Sequence, residues 1–162
     1  MKWCEVVEHP SLKDLPFKIE TNEWGKIMMA PASYSHGVYQ GEIEAWLRKL
    51  SKVGRVSPEC PVKTSRGTKV ADVAWASPAF LKKHGIKKIE LPESPEVVVE
   101  IASPSNSAAE LEEKRLLYFE KGAREFWLCD EGGHMRFFTP MGELERSELF
   151  REFPRFIDIE VE

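Results

Sequence analysis

Three ionisable side chains stand where the surrounding pattern calls for apolar residues. Asp72 lies inside the run Val70–Trp75, Glu100 follows three consecutive valines, and Lys114 falls within the apolar stripe of a predicted helix. A charged group in such a place is costly unless it is paired, protonated or bound to a metal. Each has a structural alternative: an exposed edge strand for Asp72, a strand end in solvent for Glu100, and a lysine reaching out to water for Lys114.

This set of side chains suits one kind of chemistry. Two carboxylates at the end of a sheet can hold Mg²⁺, a cation that keeps several waters and leaves room for a phosphate. The metal polarises a phosphoryl oxygen and lowers the pKa of a bound water, and a neighbouring lysine can orient that water. Asp72, Glu100 and Lys114 therefore indicate phosphodiester hydrolysis.

The same residues resemble the PD-(D/E)XK nuclease superfamily, and more narrowly its Uma-type branch of restriction-endonuclease-like bacterial proteins. The resemblance covers roughly residues 15–140 and rests on four stretches: Ala71–Trp75, Pro95–Ser105, Glu113-Lys114 with Tyr118, and Gly122–Asp130. Two positions depart from the family pattern. Ala71 replaces the proline before the aspartate, and Ala102 stands where a lysine often follows the glutamate, so that Lys114 on the next helix takes the role of that lysine.

The resemblance implies a role for each matched residue. Asp72 and Glu100 would ligate Mg²⁺ or Mn²⁺, with the Ile101 carbonyl as a further ligand, and Lys114 would position the attacking water. His36, on the inward stripe of its helix, would touch the site or the scissile phosphate; the alternative is a core histidine with an ordinary partner. By analogy with enzymes of this fold, the protein would cut two strands as a homodimer.

The charge distribution favours DNA as the partner despite a net charge of −4. Residues 46–90 hold 11 Lys and Arg against 3 Asp and Glu, a local charge of +8. Such asymmetry can create a positive field on one face. Lys63, Arg66 and Lys69, beside Asp72 in the chain, are the predicted phosphate contacts. The alternative is a solvated, lysine-rich surface.

Several other classes are excluded or disfavoured. No apolar run approaches the ~20 residues of a membrane span, and the N-terminus lacks a signal-like stretch, so we expect a cytoplasmic protein. Three scattered cysteines predict reduced core thiols rather than disulfides or a zinc site. No phosphate-binding glycine motif occurs, which argues against a nucleotide cofactor. Trp24, Trp46, Trp75 and Trp127 lie on apolar faces and are predicted to be core residues.

The elements that must position these side chains can be read from hydrophobic periodicity. Residues 17–20 and 26–30 predict a β-hairpin, and residues 34–50 predict a helix. Extended segments follow at 55–61 and 69–76, then a short helix at 78–84. A strand at 97–102, a helix at 107–121 and a strand at 124–130 form a βαβ crossover, and 135–140 is a last strand. The 162 residues suit one domain, with its core at about 15–140.

The predicted fold class is therefore α/β (α+β): a restriction-endonuclease-like mixed β-sheet flanked by helices, with an N-terminal β-hairpin. Two non-enzymatic hypotheses stay open beside the nuclease. One is a catalytically inactive nuclease-fold module that binds DNA or protein. The other is a structural subunit of a larger complex, with the acidic tail Asp158–Glu162 as an interaction arm.

Overall fold

The computed structural model of the protein describes residues 1–160, which contain four helices and eight strands. In chain order these elements are α1 Trp3–Glu8, β1 Phe17–Thr21, β2 Ile27–Pro31, α2 Tyr34–Leu50, β3 Arg55–Thr64, β4 Gly67–Ala76, α3 Pro78–His84, β5 Val97–Ile101, α4 Ala108–Glu120, β6 Glu125–Cys129, β7 Met135–Thr139 and β8 Gly142–Leu144. The predicted α+β class and the predicted hairpin are confirmed.

The strands form two sheets. β1 and β2 make an antiparallel hairpin of their own, and the other six strands form one sheet in the order β3-β4-β5-β6-β7-β8. All pairings in the large sheet are antiparallel except β5 with β6, which run parallel with α4 as the connection. This is the predicted βαβ unit, and it sets Glu100 beside Leu128 in register.

Helices cover both faces of the large sheet. The inward stripe of α2, with Tyr39, Ile43 and Leu47, packs on one face against Trp127 and the C-terminal segment. Tyr118 of α4 packs on the other face with β3, β5 and β6 residues. A strand covered on both faces is apolar throughout, which is why β5 reads as a continuous β-branched run. Glu100 is the single ionisable residue in β5 and is 2% exposed.

The hairpin is tied to the start of β4 by hydrogen bonds. The Thr68 N–H donates to Thr21 Oγ1 at 2.8 Å, and the Val70 N–H donates to Glu20 Oε2 at 2.7 Å. Gly67 has a φ of +86°, and a Cβ there would lie 2.3 Å from the Thr21 carbonyl oxygen. A glycine is therefore required where the two sheets meet. These contacts hold the β1 side chains over Asp72.

Some sequence predictions were wrong. Trp24 is 74% exposed at the hairpin turn, because the hairpin forms a separate two-stranded sheet that leaves this residue outside the core. Cys4 is exposed, whereas Cys60 and Cys129 are buried thiols as predicted. The sequence also did not predict strand β8. Of the acidic tail, Glu162 lies outside the described residues, as does Val161.

None of the helices within residues 1–160 combines the length and the apolar character that crossing a membrane requires.

Candidate active site

Asp72 and Glu100 lie where neighbouring strands of the large sheet separate. The pairing of β4 with β5 ends at Val73 and Val99, so Asp72 and Glu100 are the next residues on each strand. On the other side of β4, the pair formed by Glu59 and Asp72 is missing from the ladder between β3 and β4, and Glu59 has a φ of +48°. Asp72 therefore lies between two interruptions of the ladder, which opens space for its side chain.

Asp72 is 2% exposed and accepts three polar contacts. Its Oδ1 accepts from Lys18 Nζ at 2.9 Å, and its Oδ2 accepts from the Ile101 N–H at 2.7 Å and lies 3.3 Å from His36 Nε2. Gln40 Nε2 donates to the Asp72 carbonyl at 2.8 Å, at the point where the pairing of β3 with β4 is interrupted. Both the carboxylate and its backbone are thus fixed by α2 and β5.

Glu100 points to the same place from β5. Its Oε1 accepts from the Tyr118 hydroxyl at 2.9 Å and lies 3.7 Å from Lys114 Nζ. Its Oε2 accepts from Lys18 Nζ at 3.1 Å. The structure therefore brings together Asp72, Glu100, Lys114 and His36, the four side chains predicted from the sequence.

Lys18 is the residue at the centre of the site. Its ammonium bridges the two carboxylates, and its side chain is 16% exposed. Sequence reasoning missed this residue because a lysine in a short alternating strand is an ordinary surface residue. The alternation of Phe17-Lys18-Ile19-Glu20 did place Lys18 and Glu20 on one face, and both point into the site.

Glu20 is a third acidic residue that the sequence analysis did not select. Its Oε1 lies 2.8 Å from Lys114 Nζ, and its Oε2 accepts from the Val70 N–H. Lys114 is thus held between Glu20 and Glu100, with 12% of its side chain exposed. Neither the snorkelling alternative for Lys114 nor the solvent alternatives for Asp72 and Glu100 describes this arrangement.

The carboxylates differ in how strongly they hold a proton. Burial raises the pKa of Glu100 to about 7, against the opposing effect of the Lys114 and Lys18 ammonium groups. Burial would also raise the pKa of Asp72, but Lys18 and His36 outweigh it and hold the pKa well below its usual value. Burial opposes the charge of Lys18, yet Glu100 and Asp72 raise the pKa of this lysine above its usual value. Of the two carboxylates, Glu100 therefore takes up a proton more readily than Asp72.

A cavity of about 350 Å³ opens onto these groups. Lys18, His36, Asp72, Glu100 and Lys114 line its floor. Ile101 also borders the cavity, and its N–H is used by Asp72. The cavity gives a ligand access to the carboxylates, which a purely structural ion-pair network does not require.

The family resemblance implies Mg²⁺ or Mn²⁺, and the two carboxylates are the donors that such an ion would use. Asp72 Oδ1 and Glu100 Oε2 both contact a single cationic nitrogen, which shows that one cation can reach both carboxylates. Two carboxylates plus waters match the usual protein contribution to a Mg²⁺ site. Within residues 1–160 no group of three or more His, Cys, Asp or Glu side chains is arranged to hold a metal ion. The residues fit an open Mg²⁺ or Mn²⁺ site, not a caged one.

The three predicted phosphate contacts occupy different environments. Lys63 is exposed on β3. Arg66 is exposed at the β3–β4 turn and pairs with Glu113 of α4. Lys69 does not lie on the surface as the prediction requires: it is 6% exposed, and its ammonium donates to the Thr21 carbonyl at 2.9 Å. Burial lowers the pKa of Lys69, consistent with a lysine that links the hairpin to β4.

The chain matches a protein-family model and is similar to solved structures. The family model Uma2, described as "Putative restriction endonuclease", matches residues 17–159. The chain is also similar to a crystal structure from Anabaena variabilis described as "a putative nuclease belonging to DUF820". The TM-score is 0.75 at 18% identity, over 96% of this chain and 94% of that chain. No curated protein matches the sequence.

Proposed function

The chain belongs to the Uma2 family, and we propose that it is an endonuclease that hydrolyses DNA phosphodiester bonds with Mg²⁺ or Mn²⁺ at the Asp72–Glu100 site. One observation carries the proposal. Two buried carboxylates from adjacent strands, with Asp72 and Glu100 28 positions apart in numbering, converge on one cation position at the floor of a cavity. A structural ion pair needs neither the convergence nor the opening.

The two carboxylates would hold the metal, and their neighbours orient them. Asp72 and Glu100 would hold the divalent ion, which supplies a Lewis acid and a water of lowered pKa when bound. His36 and the Ile101 N–H orient the Asp72 carboxylate. The Tyr118 hydroxyl orients Glu100 from within the core, where burial raises the pKa of the phenol. Asp72 and Glu100 are therefore preorganised before any ligand enters.

We propose that Lys114 acts on the reacting groups. Its ammonium lies 3.7 Å from Glu100 Oε1 and is anchored by Glu20, so it faces the cavity beside the carboxylates. From this position it would donate a hydrogen bond to the attacking water or to charge that develops on the phosphate. The Glu20 carboxylate limits the freedom of the ammonium, which favours one orientation.

We further propose that exposed basic residues draw the DNA to this face. Lys63 and Arg66 are the candidates, because Lys69 is engaged inside the protein. For Arg66, the exposed pair with Glu113 would exchange for a phosphate. Cleavage of both strands calls for a homodimer, which light scattering in solution would test. Replacing Lys63 with Gln should reduce the salt dependence of DNA binding by about one phosphate contact.

Plasmid cleavage tests the central claim. Wild-type protein should nick or linearise plasmid DNA with Mn²⁺ and lose this activity with a chelator. Asp72→Ala should be inactive, whereas Asp14→Ala, which removes an exposed aspartate, serves as the control and should keep full activity. Equal cleavage by wild type and Asp72→Ala would reject the assignment. Titration of Mn²⁺ by calorimetry separates this proposal from the inactive binding module, for which no metal binding is expected.

A further inference from the structure

Lys18 occupies the position that a metal ion would take. Its Nζ lies 2.9 Å from Asp72 Oδ1 and 3.1 Å from Glu100 Oε2, while Lys114 approaches the other oxygen of Glu100 at 3.7 Å. Lys18 is therefore the single lysine that contacts both carboxylates among the described residues. The ion pairs span 54 and 82 positions of the chain, so the docked hairpin, not local sequence, creates them.

An ammonium and a divalent cation cannot share these two oxygens. Mg²⁺ binds carboxylate oxygens at 2.0–2.1 Å, closer than the ammonium contacts seen here. A Mg²⁺ ion bound by both oxygens would be within a few ångströms of the Lys18 nitrogen, where two like charges repel strongly in a poorly solvated site. Metal binding at this site therefore requires Lys18 to move away.

Lys18 has the freedom to move. It borders the cavity of about 350 Å³ and also the smaller neighbouring cavity lined by Met28 and Met29. A lysine side chain has a flexible stem of four carbons, and its ammonium is strongly hydrated in water. Both properties favour movement of Lys18 from the carboxylates into the cavity. Asp72 keeps the Ile101 N–H and His36 as partners, and Glu100 keeps Tyr118. The carboxylates would thus stay in place after the lysine leaves.

We propose that Lys18 is an exchangeable counter-ion: it neutralises Asp72 and Glu100 in the metal-free protein and is displaced when a divalent cation binds. The inference rests on the proposed function, because it takes the two carboxylates as the metal site. If Lys18 must be displaced, this residue of the β1–β2 hairpin lowers the affinity of the site for the metal. Removing that residue should strengthen metal binding, the opposite of the effect of removing a ligand.

Amine labelling of the wild-type protein tests the displacement directly. Lys18 should react slowly with an acetylating reagent when no metal is present, because its ammonium is paired and largely enclosed. With saturating Mn²⁺, we expect labelling of Lys18, measured by peptide mass spectrometry, to rise at least about fivefold, because the displaced amine leaves its two carboxylate partners and reaches water. Lys26, exposed on the same hairpin, is the internal control and should not change.

A variant tests the energetic consequence. Lys18→Met should bind Mn²⁺ at least about tenfold more tightly than wild type by calorimetry, and Lys26→Met should bind like wild type. Lys18→Arg, which keeps a cation, covers the case in which Lys18→Met does not fold, and should retain weak binding. Mn²⁺ binding with unchanged Lys18 labelling, or with equal affinity in Lys18→Met, overturns the counter-ion role alone. If wild type and variants all fail to bind Mn²⁺, both this inference and the proposed function are overturned.

Discussion

Two places in the large sheet bury carboxylates, and they satisfy them in opposite ways. Glu125, at the start of β6, is 1% exposed and accepts four neutral hydrogen bonds. Trp127 Nε1 and Ser147 Oγ donate to its Oε2 at 2.7 and 2.6 Å, and the N–H groups of Glu148 and Leu149 donate to its Oε1 at 2.8 and 2.9 Å. Two of these donors are backbone N–H groups, and the other two belong to the buried side chains of Trp127 and Ser147.

At Asp72 and Glu100 the charge is balanced by Lys18, a flexible side chain from a separate sheet, and the site opens to a cavity. A carboxylate fixed by neutral donors pins the C-terminal segment to β6 and has no freedom to exchange partners. A carboxylate balanced by a movable cation can take another cation. The comparison teaches that burial alone does not mark a functional acid; the nature of its partners does.

The largest expected effect is the loss of DNA cleavage in the Glu100→Gln variant. The amide keeps the Tyr118 hydrogen bond but is a far weaker ligand for a hard cation, so the cleavage rate should fall by more than about a hundredfold, beyond the loss typical of an outer-shell residue. The free energy of unfolding should change by about 1 kcal/mol or less, because Lys18 keeps its ion pair with Asp72. A plasmid-nicking time course and urea unfolding measure the two. Near-normal cleavage would remove Glu100 from the metal site.

The same substitution at Glu125 should do the reverse. In Glu125→Gln an amide NH₂ faces either Trp127 and Ser147 or the two backbone N–H groups, and buried donors lose their acceptor. We expect the free energy of unfolding to fall by about 2–4 kcal/mol. Mn²⁺ affinity, measured by calorimetry on the folded protein, should stay at the wild-type value. A stability loss smaller than that of Glu100→Gln would contradict the structural role assigned to Glu125.

Lys114→Met should separate chemistry from metal binding. We expect cleavage to slow by about a hundredfold, because the ammonium that faces the cavity is lost. Mn²⁺ affinity should not fall, since Lys114 contributes no ligand. The double variant Glu20→Gln with Lys114→Met restores the charge balance at Glu20 and controls for instability. Full recovery of cleavage in the double variant would assign Lys114 a structural role only.

The smallest effect concerns pH and His36. The hydrogen bond with Asp72 raises the pKa of His36, against the opposing effect of burial. Protonated His36 therefore stabilises the fold: the contribution is complete below the unfolded value of about 6.5 and is lost as pH rises through the higher folded value. Unfolding of wild type and His36→Gln should differ more at about pH 5.5 than at about pH 9, by up to about 1 kcal/mol. A difference that grows with pH would contradict the assigned direction.

The regular elements were predictable because they depend on residues a few positions apart. The 3.6-residue stripe of Tyr39, Ile43 and Leu47 predicted α2 over Tyr34–Leu50, and the β-branched run predicted β5. Asp72 and Glu100 could be found as exceptions to such patterns. Glu125 could not be told apart from a strand-end residue, because its donors come from the segment 147–149, which has no clear periodicity of its own.

Local sequence patterns were enough to predict the order of the elements, the parallel βαβ unit and the two acidic residues that interrupt apolar runs. Tertiary structure alone decided that Lys18 and Glu20 join them, that Lys69 turns inward, and which buried carboxylates have exchangeable partners. The physical reason is the separation along the chain over which each kind of interaction acts. Hydrophobic periodicity acts within a single element, whereas these ion pairs form only after the β1–β2 hairpin docks on β4 and places distant charges within about 3 Å of each other.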